Sequence, residues 1–168
     1  MAETHTAPTA RDFMTRHVEC VSPQMSLAAI IDLLDRHKVS NAPVVTEQDG
    51  KKLLVGFISE RDCLEFLANE SFFGSPAPPQ TAETMMRKHP VCVQPDTELF
   101  TLASVFVNHG YRHLPVVENG ELLGIVSRRD ILKAMNDYYQ AEFRDRDRLK
   151  HPPELSDSAR RLLIVTGR

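Results

Sequence analysis

The chain has 168 residues, of which 42% are hydrophobic and 26% charged, a composition typical of an ordinary globular protein. Its net charge of −3 offers no basic surface of the kind that favours nucleic-acid binding, and no apolar run approaches the roughly 20 residues that span a bilayer. The polar start does not resemble a signal peptide, so we expect a cytoplasmic protein with no nucleic-acid or membrane partner.

The chain contains two copies of one unit. Residues 20–45 and 92–117 align at a spacing of 72 residues, and both contain the sequence PVV. Farther along, GFISERD (56–62) matches GIVSRRD (124–130) at a spacing of 68 residues. The first copy is therefore four residues longer, and we expect the extra residues in its turn, TEQDGKK.

Each copy is predicted to begin with a strand and a helix. The short strands VECVS and VCVQ alternate and end at proline. Apolar residues then follow the i, i+3, i+4, i+7 spacing of an amphipathic helix, starting at Leu27 and again at Leu99. Ser26 and the pair Asp96-Thr97 are expected as helix caps, and Gly110 as the stop of the second helix.

Two buried strands and a second helix complete each copy. Asp49-Gly50 and Asn119-Gly120 are hairpin turn sequences between apolar strands, and the last helices begin near Glu60 and Arg128. Each β-α-β-β-α unit has too small a core to stand alone. We therefore predict an α/β (α+β) fold in which the two repeats pack through their sheets.

The predicted boundaries follow composition. Residues 1–9 form an N-terminal segment, 10–70 and 83–140 the two repeats, and 71–82 a linker rich in proline, serine and glycine. Residues 141–168 form a charged helical extension and tail. The final apolar run, RRLLIVTGR, either docks as an edge strand or on a partner, or is disordered.

This arrangement resembles the CBS domain pair, also called a Bateman module. The resemblance covers about residues 10–140 and rests on DFMT and ETMM before the first strands, the two PVV strands, and the GFISERD and GIVSRRD motifs. One such motif is a weak signal, but two copies, each between a PVV strand and a helix, are specific. The resemblance implies two repeats related by a pseudo-twofold axis, clefts between them that often bind adenine nucleotides, and dimerisation of the pair.

The second motif contains the chemistry that a nucleotide needs. Ser127 ends a strand where a helix begins, and free N–H groups at a helix start favour an anion. Arg128 and Arg129 are suited to charge-assisted hydrogen bonds with a phosphate, and the carboxylate of Asp130 to two vicinal ribose hydroxyls. The purine would lie beside two apolar residues, Ile125 and Val126.

The first motif offers the same groups with fewer cations. Phe57, Ile58, Ser59 and Asp62 occupy the equivalent positions, and Arg61 is the only adjacent cation. In both copies serine and aspartate are also ordinary helix caps, and duplication alone does not decide, since duplicated units duplicate caps. The resemblance favours ligand contact, because the family's aspartate here typically meets ribose hydroxyls.

A charge difference between the copies predicts unequal clefts. Arg112 and His113 precede the second PVV strand, where similar His-Arg pairs of the regulatory gamma subunit of the AMP-activated kinase, a CBS protein, meet phosphates. The equivalent residues of the first copy are the neutral Ser40 and Asn41. We expect the first-motif cleft to borrow Arg112 and His113, and the second-motif cleft to face Ser40 and Asn41. The alternative is that Arg112 and His113 are merely solvated.

Residues around the first strands are purine-pocket walls by resemblance, or plain core: Thr15, Val18, Cys20, Val91 and Val93. Three cysteines without a CxxC spacing favour packing over a disulfide or redox role. Seven histidines without HxH or HxxxH spacing predict no metal site, and the lack of a Walker loop leaves nucleotide hydrolysis without its usual apparatus. No enzyme is expected.

The sequence thus favours a regulatory module that senses AMP, ADP or ATP, requires no cofactor, forms a homodimer and acts through an unknown effector protein. The alternatives are a scaffold with empty clefts, or a module for another adenosyl ligand such as S-adenosylmethionine. Nucleic-acid binding by the basic tail is disfavoured by its interspersed aspartates.

Overall fold

The structure is a computed structural model and describes residues 6–73 and 79–150. Within these ranges the elements, in chain order, are α1 (Ala10–Phe13), α2 (Leu27–His37), β1 (Asn41–Gln48), β2 (Lys51–Ser59), α3 (Glu60–Phe73), α4 (Ala82–Met85), β3 (Arg87–Lys88), α5 (Leu99–His109), β4 (His113–Glu118), β5 (Glu121–Ser127) and α6 (Arg128–Lys150). None of these helices is both long and apolar enough to cross a membrane. The predicted fold with two repeats is confirmed, although α3 extends three residues into the segment predicted as a linker.

Each copy is built around one β-hairpin, β1–β2 or β4–β5. Both hairpins turn through two residues with positive φ, Asp49-Gly50 and Asn119-Gly120, as a tight type I′ turn requires. β1 and β2 have 8 and 9 residues, whereas β4 and β5 have 6 and 7. The four extra residues therefore lengthen the strands by two each, and the expectation of a longer turn was wrong.

The predicted first strands, VECVS and VCVQ, are reduced to single parallel bridges, Val21 with Val44 and Val93 with Val116. In the first copy Val21 donates its N–H to the Pro43 carbonyl and accepts one from Val45. The next rung of that ladder would need an N–H from Pro23, which proline lacks. Pro95 ends the second bridge in the same way, so the proline that marks the end of each predicted strand also prevents its growth.

The short segment before each copy packs on the other copy. Ala10 N–H donates to the Thr97 carbonyl and Leu99 N–H to that of Pro8, both at 2.9 Å. Reciprocally, Ala82 N–H donates to the Met25 carbonyl at 2.9 Å. Ala10 lies in the core of the second copy and Ala82 in that of the first, both fully buried. The segments that contain DFMT and ETMM are thus exchanged between the two copies.

The hairpins meet where β2 and β5 pair at Leu53 and Glu121, which gives one sheet in the order β1-β2-β5-β4. The short β3 pairs with β2, Arg87 opposite Phe57. The symmetric contact in the other half is the bridge between Thr15 and Ile125. Apolar residues of helices and strands form two separate cores, one for each copy.

The helix ends follow the expected chemistry with one exception. The Ser26 hydroxyl accepts the Ala29 N–H at the start of α2, and α5 ends at Gly110 with a φ of 66°. The cap of α5 is Glu98, without a side-chain hydrogen bond, and not the predicted pair Asp96-Thr97. Cys63 is buried, whereas Cys20 is half-buried and Cys92 exposed, so packing in the core describes only one of the three thiols.

Candidate functional site

The serine and aspartate of each motif form a closed cap at the start of the following helix. Ser127 donates its backbone N–H and its hydroxyl to Oδ2 of Asp130, at 2.8 and 2.6 Å, and Asp130 N–H donates to Ser127 Oγ at 3.2 Å. Ser59 and Asp62 repeat these contacts at 2.8, 2.6 and 3.4 Å. This reciprocal arrangement is a capping box. The capping box uses only one carboxylate oxygen, Oδ2, so Oδ1 is not part of the cap.

The two aspartates differ at Oδ1. Oδ1 of Asp62 accepts a hydrogen bond from Arg87 Nε at 3.2 Å. Oδ1 of Asp130 has no hydrogen-bond partner among the residues that the structure describes. Sequence alone did not single out Arg87. The 72-residue repeat makes Arg87 the equivalent of Thr15, and this comparison would have revealed a cation in one copy and a hydroxyl in the other.

A cavity of about 340 Å³ lies in front of Asp130. This volume is within the range of about 300–1,000 Å³ that is usual for small-molecule sites. Both copies contribute to its wall, and the residues that sequence analysis had named are Thr15, Val18, Ser40, Asn41, His113, Ile125, Ser127 and Asp130. Sequence analysis missed the basic side chains of His17 and Lys38 on the same wall.

His113 contacts the other copy from this wall. Asn41 donates its amide N–H to Nδ1 of His113 at 2.8 Å, and also contacts Ser40 Oγ at 3.1 Å. Burial lowers the pKa of His113, and the charges of Arg128 and Arg112 lower it further, against the opposing effect of Asp130. The imidazole is therefore a neutral group that accepts a hydrogen bond at Nδ1.

Other predicted site residues lie elsewhere. Ile58 and Val126 are fully buried in the two cores, so they are core residues and not cavity wall. Val91 is 51% exposed, and Phe57 is half-buried opposite Arg87. The exposed predicted cations are Arg61, Arg112, Arg128 and Arg129.

The prediction that Arg112 and His113 serve the cleft of Asp62 has no supporting contact among the described residues. Neither Arg112 nor His113 donates a hydrogen bond to Asp62 within residues 6–73 and 79–150. His113 instead lines the cavity of Asp130, and the partner that Asp62 does have is Arg87. The two motif aspartates differ at Oδ1, and the cation that distinguishes them, Arg87, is a residue of the second copy that was not predicted.

The described residues show no other strong candidate for chemistry. A second cavity of about 600 Å³ is lined only by the first copy and contains neither motif aspartate. Cys20, on its wall, has a pKa raised by burial, the opposite of what a nucleophilic thiol requires. Among the described residues, no group of three or more His, Cys, Asp or Glu side chains is placed to hold a metal ion.

Comparison with known proteins agrees with the fold. The family model of the CBS domain matches residues 10–69 and 82–137. An uncharacterized 17.7 kDa protein of Acidianus ambivalens is 32% identical over 130 residues, which are 77% of this chain and 74% of that protein. The inosine-5′-monophosphate dehydrogenase of Korarchaeum cryptofilum is 32% identical over 123 residues, 73% of this chain but only 23% of the enzyme.

Among solved structures, CBSX2 of Arabidopsis thaliana in complex with AMP superposes with a TM-score of 0.66 at 28% identity, covering 79% of this chain and 98% of that one. The family model matches both copies, and the chain is a member of the CBS domain family with two CBS domains in tandem.

Proposed function

We propose that the chain is a regulatory module that binds an adenine nucleotide in the cavity of Asp130. The observation that carries the proposal is Oδ1 of Asp130, which has no hydrogen-bond partner within residues 6–73 and 79–150 and whose residue lies on the wall of a cavity of about 340 Å³. Because Oδ2 is held by the cap, the carboxylate is already fixed in one orientation. A fixed, partly buried acceptor suits a pair of vicinal hydroxyls, the distinctive group of a ribose.

The rest of the cavity suits the other parts of such a ligand. Ile125 and Val18 offer apolar contacts to a purine, and the ammonium group of Lys38 favours a phosphate. An adenosyl ligand such as S-adenosylmethionine shares the purine and ribose but has no phosphate. The solved CBSX2 complex with AMP supports the nucleotide.

Calorimetric titration with AMP, ADP, ATP and S-adenosylmethionine tests the proposal. We expect the wild type to bind at least one of the nucleotides, and Asp130→Ala to lose binding. Asp130→Asn keeps an oxygen for the cap but loses the charge, so it separates ligand contact from folding. Asp137→Ala, an exposed aspartate of α6, is the matched control. Absence of binding by the wild type at millimolar nucleotide contradicts the proposal.

The module would act by changing its affinity for an effector protein. A ligand transmits a signal only if it binds two conformations of the protein with different affinity. Because the chain spans 23% of the dehydrogenase that it resembles, we propose no catalytic activity for it. We propose a cytoplasmic location, as composition suggests.

A homodimer is supported by exposed apolar side chains at equivalent positions of the two copies. Leu64 of α3 is 66% exposed and Leu132 of α6 is 72% exposed. Exposed apolar residues that recur on both halves are typical of an interface. We expect the wild type to sediment as a dimer and Leu132→Glu as a monomer, whereas Lys133→Glu, the neighbouring exposed position, leaves the dimer intact. A dimer with no nucleotide binding would favour the scaffold alternative.

A further inference from the structure

The surroundings of Oδ1 in the two motif aspartates differ at one pair of equivalent positions, Thr15 and Arg87. Thr15 bridges to Ile125 beside Asp130, and Arg87 pairs with Phe57 beside Asp62. Thr15 and Arg87 are 72 residues apart, the spacing of the repeat, so each occupies the same place in its half. One half has a short hydroxyl side chain there, and the other has the longest cation.

The Arg87 side chain already engages the aspartate that the ligand would need. Its Nε lies 3.2 Å from Oδ1 of Asp62, while Ser59 holds Oδ2. Both oxygens of Asp62 therefore have a partner within the protein.

Burial and anchoring make this contact more than a mobile surface pair. The side chain of Asp62 is only 11% exposed, and the guanidinium of Arg87 neutralises its charge. The backbone of Arg87 is held against β2 by strand pairing. The Arg87 side chain itself is 65% exposed.

We infer that Arg87 closes the Asp62 cleft, so that each chain takes one adenine nucleotide, at Asp130, and not two. This inference rests on the proposed function and adds to it which cleft is used and which residue decides. A ribose at Asp62 has to displace the guanidinium from Oδ1. In the part of the chain that the structure describes, no group occupies the corresponding oxygen of Asp130. The occupied cleft is therefore that of Asp130, where the position equivalent to Arg87 is Thr15.

An exchange of the two residues tests the inference. Calorimetry with AMP should give a stoichiometry of one per chain for the wild type and two for Arg87→Thr. Thr15→Arg should weaken binding at Asp130 by at least about tenfold, since charge-assisted hydrogen bonds to a carboxylate have strengths of that order. Lys88→Thr, next to Arg87 and without contact to Asp62, should behave as wild type. Thermal unfolding of each variant verifies that it is folded.

The outcomes separate the inference from the proposed function. Two sites in the wild type, reduced to one by Asp62→Ala, overturn the inference and leave nucleotide binding standing. A folded Arg87→Thr variant that still binds one nucleotide, at Asp130, also overturns it. If neither the wild type nor Arg87→Thr binds any adenine nucleotide, the proposed function fails and the inference with it. A second site in Arg87→Thr that Asp62→Ala removes supports both.

Discussion

Asn41 donates a hydrogen bond to Nδ1 of His113 at 2.8 Å, and the two residues occupy the same position in the two copies. A residue that touches its own counterpart lies on the axis that relates the copies. The pseudo-twofold axis therefore passes between an amide and an imidazole, at the wall of the Asp130 cavity. The axis thus passes between two different side chains.

The burial of His113, which contacts Asn41, makes the stability of the protein depend on pH. Burial, and then the charges of Arg128 and Arg112, lower the pKa of His113 from its usual value of 6.5, with Asp130 opposing. As pH falls, the unfolded chain therefore takes up this proton before the folded protein does. The stability contributed by neutral His113 is present above about pH 6.5 and is lost as pH falls through that value towards the lower pKa of the folded state.

We expect the free energy of unfolding of the wild type, from urea titrations between about pH 8 and pH 5, to fall more steeply towards acid than that of His113→Gln. His109→Gln, an exposed histidine at the end of α5, is the control and should keep the wild-type slope. Equal slopes for the wild type and His113→Gln would show that Nδ1 is free to take up a proton in the folded protein.

The two capping boxes are expected to contribute equally to stability and unequally to binding. Ser127→Ala and Ser59→Ala each remove a hydroxyl that donates to an aspartate and accepts its N–H. Each should lower the free energy of unfolding by about 1 kcal/mol, the usual worth of an N-cap. Only Ser127→Ala should also weaken AMP binding, since it loosens the carboxylate of Asp130. Denaturant titration and calorimetry on both variants measure the two effects, and weaker binding by Ser59→Ala would contradict the assignment of the cleft.

Sequence patterns of a few adjacent residues correctly predicted the turns and the start of α2. The hairpins follow from Asp49-Gly50 and Asn119-Gly120, and the start of α2 from Ser26, because turns and caps depend on a few adjacent residues. The family resemblance and the repeat located Asp130. What escaped prediction is long-range: the exchange of segments between copies, and the reach of Arg87 to Asp62, 25 residues away. Side-chain contacts of this kind depend on how the halves pack.

The glycines of the two motifs are required by the exchanged segments. A Cβ on Gly124 would lie 2.6 Å from the Thr15 carbonyl oxygen, and one on Gly56 would lie 2.2 Å from the Met86 sulfur. The first obstacle is backbone held by strand pairing, whereas the second is a flexible side chain. We expect both alanine variants to lower the thermal midpoint, Gly124→Ala by more, with a cost of about 1–3 kcal/mol typical of overpacking. Calorimetric melts of the two variants compare them, and an unperturbed Gly124→Ala would argue against the contact of β5 with Thr15.

Lys38 combines a strained backbone with a place on the cavity wall. Its φ and ψ of 54° and 40° are left-handed, and the equivalent residue of the second copy is Gly110, with a φ of 66°. Left-handed conformations cost non-glycine residues about 1–2 kcal/mol, partly offset by the greater entropy of an unfolded glycine. Lys38→Gly should therefore raise the free energy of unfolding by about 0.5–1 kcal/mol, since its exposed pair with Asp35 contributes little.

The same substitution should weaken the nucleotide and spare the nucleoside. If Lys38 meets the phosphate, Lys38→Gly lowers the affinity for AMP several-fold and leaves that for adenosine unchanged, because adenosine has no phosphate to lose contact with. Strain that persists at a binding site and costs stability is the expected sign of a functional residue. Gly110→Lys is the reciprocal control and should destabilise the protein without changing the preference between AMP and adenosine. An equal loss of affinity for AMP and adenosine would show that the phosphate does not contact Lys38, which would then only line the cavity.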